Sequence, residues 1–199
     1  CIRDRANAGY IAAINSTRIT VKNVTLTNNG QGVFFSCTTN STIENTIVMN
    51  NQYGMVLSYS SNITITQNKV TGSSQKGIQL IISNDNRIEN NDVPNGVIHL
   101  THGSTCNNIT NNVAGHVLIE GGSNNNIVEN LITNGWGVFA WSSSNNITKN
   151  IIINNGGSGI GFWGGNNNVV ENVIINCTIG IYLSEGSQGN RIYANSVIN

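Results

Sequence analysis

Ser143-Ser144-Asn145-Asn146-Ile147-Thr148-Lys149-Asn150-Ile151-Ile152 carries the pattern that decides the fold. With Ile147 as position zero, an Asn stands at plus three and an apolar residue at plus five. The phrase returns along the chain as Ile43-Glu44-Asn45-Thr46-Ile47-Val48, Ile65-Thr66-Gln67-Asn68-Lys69-Val70 and Ile88-Glu89-Asn90-Asn91-Asp92-Val93. It closes with Val169-Val170-Glu171-Asn172-Val173-Ile174 and Ile192-Tyr193-Ala194-Asn195-Ser196-Val197. Nine zero positions run from Val21 to Ile192, separated by 22, 22, 23, 21, 18, 20, 22 and 23 residues. Seven of the nine plus-three positions are Asn. A fixed period of this length is the mark of a stacked repeat.

The second half of each unit is an alternating strand entered through Gly. Examples are Gly32-Val33-Phe34-Phe35, Gly54-Met55-Val56-Leu57, Gly137-Val138-Phe139-Ala140 and Gly180-Ile181-Tyr182-Leu183. β-Branched residues dominate the apolar positions and no helical period appears, which excludes leucine-rich repeats. Three short strands per unit, each paired with the coil above and below, fit the period. The expected fold is an all-β, right-handed parallel β-helix of about nine coils, about 40 Å long at about 4.8 Å per coil. Inward aliphatic stacks and an asparagine ladder along the axis would hold it.

Composition agrees. The 199 residues include 38 Asn, a residue that tolerates the left-handed backbone of tight turns. Net charge is zero and 9% of residues are charged, so the chain lacks the basic stripe that a nucleic-acid binder needs. No apolar run is long enough to cross a membrane as a helix. Cys1, Cys37, Cys106 and Cys177 form no CxxC pair, and the register separates the last three by several coils; they are expected as buried small hydrophobes.

Segments such as Ser60-Ser61-Asn62-Ile63-Thr64-Ile65 and Ser143 to Asn150 resemble the parallel β-helix repeat of pectate-lyase-like and NosD-like proteins, a family of carbohydrate-binding and sugar-hydrolysing domains. The resemblance covers essentially the whole chain. It implies an extracellular, cell-surface or periplasmic protein that meets polysaccharide, and it fixes the fold more closely than the activity. Residues 1–199 read as a single β-helix domain. No capping segment shows at either end, so a piece of a longer chain or a unit that stacks end to end is expected.

The catalytic templates that the resemblance suggests do not map onto this sequence. Only Asp4, Asp85 and Asp92 are Asp, and no Asp-Pro-His occurs. Two Met and scattered Cys give no soft-ligand set for copper, and no cofactor or metal site is expected. His99, His102 and His116 cluster within 18 positions, and alternation points His99 and Glu120 outward on neighbouring coils. His99, His102 and Glu120 are the weak catalytic candidates, and whether the chain is an enzyme stays open.

The register also sets Phe139 and Tyr182 on one outward column, and Trp141 and Trp163 on the next, in line with Glu120; Trp136 falls in the preceding turn. Outward aromatics suit sugar rings or a protein partner. Seven glycosylation sequons begin at Asn15, Asn23, Asn40, Asn62, Asn108, Asn146 and Asn176. The expected function is extracytoplasmic polysaccharide binding, with processing possible, through Phe139, Trp141, Trp163 and Tyr182. The alternative is a structural solenoid of a surface layer or filament.

Overall fold

A computed structural model describes residues 9–153 and 156–199. Cys1 and Asp4 lie outside the described residues. Every described strand pairing is parallel, each strand meeting its counterpart about one period along the chain. The first face of the solenoid is a nine-stranded sheet from Thr20–Lys22 to Arg191–Tyr193. Its central row is the zero position, with Val21, Ile43, Ile65 and Ile88 stacked in register through to Val169 and Ile192. Nine strands enclose eight complete turns; the nine repeats of the sequence count strands rather than closed coils.

The second and third faces are joined into one 15-stranded sheet. Three long strands, Asp92–Thr101, Val113–Glu120 and Leu131–Ala140, run around the corner between them. In the other coils that corner is a separate turn, as between Lys69–Thr71 and Lys76–Ile81. The long strands change register at the corner, between Val93 and Val97 and between Ala114 and His116.

Apolar residues from all three faces fill the axis. Val33, Phe35, Ile63, Ile88, Leu100, Ile119, Ile132 and Phe162 have no accessible surface. The plus-three Asn form a ladder from Asn68 through Asn91, Asn112, Asn130, Asn150 and Asn172 to Asn195, each Nδ2 donating to the next Oδ1 at 2.9–3.0 Å. A second ladder runs through Asn86, Asn107, Asn125, Asn145 and Asn167, two residues before the zero position. These amides also take the carbonyls of the coil beneath, so turns that would bury bare backbone groups are satisfied.

Asn has a second task on the outer turns. Asn15, Cys37, Tyr59, Ile82 and His102 share one turn position, all with φ between 47° and 52°. Left-handed backbone favours Asn there and strains a β-branched residue such as Ile82. The same conformation turns two cysteines outward. Among the described residues Cys37 and Cys106 are exposed and Cys177 is buried, which corrects the expectation of buried thiols for the first two. Their left-handed turns project the side chain away from the axis.

Candidate functional site

The corner between the second and third faces is where coil length varies. From the zero position to the strand-entry position the chain takes 12 residues in one coil (Ile65 to Gly77) and 12 in another (Ile147 to Gly159). It takes 9 from Ile88 to Val97, 7 from Ile109 to His116 and 10 from Ile127 to Gly137. The shortening that gives the 18-residue spacing therefore falls at this corner. The result is a groove of about 340 Å³ over the shortest coil, walled by Lys76 and Asn95 on one side and Trp136 on the other, with His116 and Leu118 among its lining. Volumes of about 300–1,000 Å³ are usual for small-ligand clefts.

His116 stands in the row that neighbouring coils fill with Gly77's successor Val97 and with Gly137. Its ring packs edge-on to Trp136 at 6.1 Å and lies 5.6 Å from Phe139. Its Nδ1 is buried without a hydrogen-bond partner. Burial, then the Lys76 charge, push its pKa down from 6.5 to about 4, so the imidazole is neutral at pH 7.

From there an aromatic ridge climbs the third face. The outward column reads Gln79, His99, Leu118, Phe139, Gly161 and Tyr182. The next column carries Thr101 and Glu120, then Trp141 and Trp163, whose amides bond the Ile119 and Ala140 carbonyls one coil back. Trp163 is the hub: its centroid lies 5.6 Å from Phe139, 5.2 Å from Trp141 and 5.6 Å from Tyr182. Gly161 makes room for this. A Cβ there would stand 2.6 Å from Phe139 Cε1, so the ring leans across the glycine onto Trp163.

Phe139 and Trp163 are stacked with planes 29° apart, while Trp141 and Tyr182 lie tilted against Trp163 at 33° and 57°. Trp136, 71% accessible, offers an open indole surface beside the groove.

His99 lies on the outward column yet is buried, with Leu118 stacked beyond it. Its Nε2 and a Glu120 carboxylate oxygen are 2.9 Å apart, and Gln79 Nε2 is 3.4 Å from its Nδ1. The consistent arrangement has Nε2–H donating to Glu120 and Nδ1 accepting from Gln79. Burial lowers the His99 pKa, Lys76 adds to this, and Glu120 only partly opposes it. Both ring nitrogens are thus engaged, whereas a general base needs one turned to the substrate.

Thr101 Oγ1 lies 3.0 Å from His102 Nδ1 and 3.5 Å from Glu120. The three catalytic candidates are therefore linked, with His102 on an exposed turn. Trp136, Lys76 and Asn95 complete the site. Sequence spacing brings them to one place only once the shortened corner is known.

Of the sequons, Asn15, Asn23, Asn40, Asn62, Asn108 and Asn176 are exposed. Asn146 is half-buried and accepts from Asn168 Nδ2 at 2.9 Å.

Two family models match. One, described as periplasmic copper-binding protein (NosD), matches residues 2–138; the other, right handed beta helix region, matches residues 94–199. No curated protein matches significantly. Among solved structures, a tailspike double mutant of E. coli bacteriophage HK620 in complex with pentasaccharide is similar at 10% identity and TM-score 0.70, over 96% of this chain and 44% of that one. The Agl-KA catalytic domain is similar at 15% identity and TM-score 0.66, over 92% and 50%. PfbA, a surface adhesin of Streptococcus pneumoniae, is similar at 12% identity and TM-score 0.53, over 92% and 71%. The chain spans about half the length of the first two, and at these identities the likeness is one of fold.

Copper prefers sulfur and imidazole donors. Met55 and Cys177 are buried in the core, Cys37 and Cys106 sit on different turns, and no three His, Cys, Asp or Glu side chains converge among the described residues. Those residues do not fit a copper centre. With one model covering more than two thirds of its length and the second the remainder, the chain belongs to the NosD family of right-handed β-helix proteins.

Proposed function

We propose that this chain binds polysaccharide outside the cytoplasm, in the groove of the shortened corner and along the adjoining ridge of Phe139, Trp141, Trp163 and Tyr182. The carrying observation is the continuity of apolar surface. Trp136, His116, Phe139, Trp163, Trp141 and Tyr182 make an unbroken chain of ring contacts from the groove to the last coil. Protein surfaces seldom leave such a patch open without a partner. From His116 to Tyr182 the ridge climbs three coils, about 14 Å, the length of a short oligosaccharide.

The flanking groups suit a sugar. Asn95 and Lys76 bring hydroxyl-bonding atoms to the edge of an otherwise apolar track. The family's periplasmic description, and the phage tailspike and surface adhesin among similar folds, support an extracytoplasmic place. In such a place the six exposed sequons are glycan acceptor candidates. The His99–Glu120 pair reads as a brace for this surface, because its hydrogen bonds are already made within the protein.

The test is a glycan-array screen of the parent, of Trp136→Ala and of Trp141→Ala/Trp163→Ala, with folding checked by circular dichroism. The parent is expected to bind a defined polysaccharide. Each variant should lose about 2 kcal/mol, roughly 30-fold, as expected for a central aromatic anchor. Folded variants that bind as well as the parent would overturn the assignment of the site.

A further inference from the structure

We infer that the groove takes an anionic substituent, a carboxylate or sulfate on the bound sugar, with Lys76 as its counter-charge and Trp136 against the ring. This rests on the polysaccharide-binding reading above and names the class of glycan.

The argument comes from how the few charges are placed. Lys22, Lys69, Arg87 and Lys149 each lie within 4.0 Å of a carboxylate, and Arg191 sits over the Tyr193 ring. Arg18 and Lys76 have no carboxylate within that distance among the described residues; Arg18 is exposed away from the groove lining, whereas Lys76 is half-exposed and lines the groove. No Asp or Glu lines the groove. Glu120, on the third face, is held by His99 and approached by Thr101. His116 at the groove is neutral, and of the two opposing charges that reach it, Lys76 acts more strongly than Glu120. Lys76 and His116 line the same groove. A cation without a protein partner, beside an open indole and the Asn95 amide, matches a sugar that carries one negative group.

The experiment uses two matched pairs of probes in titration calorimetry at pH 7. One pair is tetragalacturonate and its carboxyl-reduced form; the other is a sulfated galactan oligosaccharide and its desulfated form. The parent should bind the charged member of one pair about tenfold tighter than the neutral one, and the preference should shrink at high salt. The pair that discriminates identifies carboxylate or sulfate. Lys76→Met, which keeps the apolar stem, should bring the charged member down to the neutral affinity, while Trp136→Ala weakens both members alike. Equal binding of charged and neutral members overturns this inference and leaves polysaccharide binding standing. Absence of binding to every probe and to the glycan array overturns both.

Discussion

Asn130 is the residue on which the ladder argument can be made quantitative. It is buried, and its Nδ2 donates to the carbonyls of Ile109 at 2.8 Å and Val128 at 3.1 Å and to Asn150 Oδ1 at 3.0 Å. Its Oδ1 accepts from the Asn112 backbone N–H at 2.9 Å and from Asn112 Nδ2 at 3.0 Å. In Asn130→Ala the Asn112 amide side chain keeps the Ile88 and Thr110 carbonyls, and Asn150 Oδ1 keeps the Asn130 N–H. The Asn112 backbone N–H loses its acceptor, and the Ile109 carbonyl loses this donor. A buried group left unsatisfied costs about 1–3 kcal/mol, so the variant should be destabilised by about 2–4 kcal/mol. Asn126→Ala is the control. Its Nδ2 bonds Asn108 Oδ1 on the outer face, where a loss of about 0.5 kcal/mol is expected. Urea unfolding would measure both, with m-values compared because solenoids can lose cooperativity. Amide exchange at Asn112 gives the local readout. Equal midpoints for the two variants, with the Asn112 amide still protected, would refute the view that ladder amides satisfy the buried turns.

Three further outcomes follow from the site. Gly161→Ala should dislodge Phe139 from Trp163, costing about 0.5–1.5 kcal/mol of ring stacking and changing the near-ultraviolet circular dichroism; an unaltered spectrum would contradict the packing. His116 binds its proton less well folded, near pH 4, than unfolded, near 6.5, so the unfolded state holds more protons between these values and stability falls as pH drops through that window. The part due to His116 is at most about 3 kcal/mol, and it should vanish in His116→Phe; a parallel pH profile for the variant would count against it. Inserting five residues between Ala114 and Gly115 should restore the 12-residue length, fill the groove and abolish the proposed glycan binding while the solenoid persists. Binding that survives would place the ligand elsewhere.

The stack was legible because its signals are local and repeated. A zero-position Ile or Val, an Asn three residues on and a Gly-led strand recur in coil after coil, and each has one physical use. The second ladder obeys the same register at minus two, where Asn86, Asn107, Asn125, Asn145, Asn167 and Asn190 stand, yet it is concealed because Asn also fills the neighbouring turns. Cys37 and Cys106 were misread because side-chain type says nothing about a left-handed φ that swings a small residue outward. Alternation gave the column of His99 but not its burial, which depends on what stacks above it.

The candidate site shows why the remainder stayed hidden. In a repeat protein a regular coil reproduces its neighbours' surface, and a recess needs a coil that departs from the period. The spacing of 18 residues between Ile109 and Ile127 is that departure, and it is visible in the sequence. What the number cannot say is which of three corners gives up the residues. Only the strand register assigns the loss to the corner before His116, and with it the depth that Trp136, Lys76 and Asn95 surround. The three long strands are the consequence: with the turn shortened, each strand carries around the corner through a register shift and joins two faces into one sheet. Places where a sequence breaks its own rule are where function is expected, and here the break, the uncompensated lysine and the most exposed tryptophan meet in the same coils.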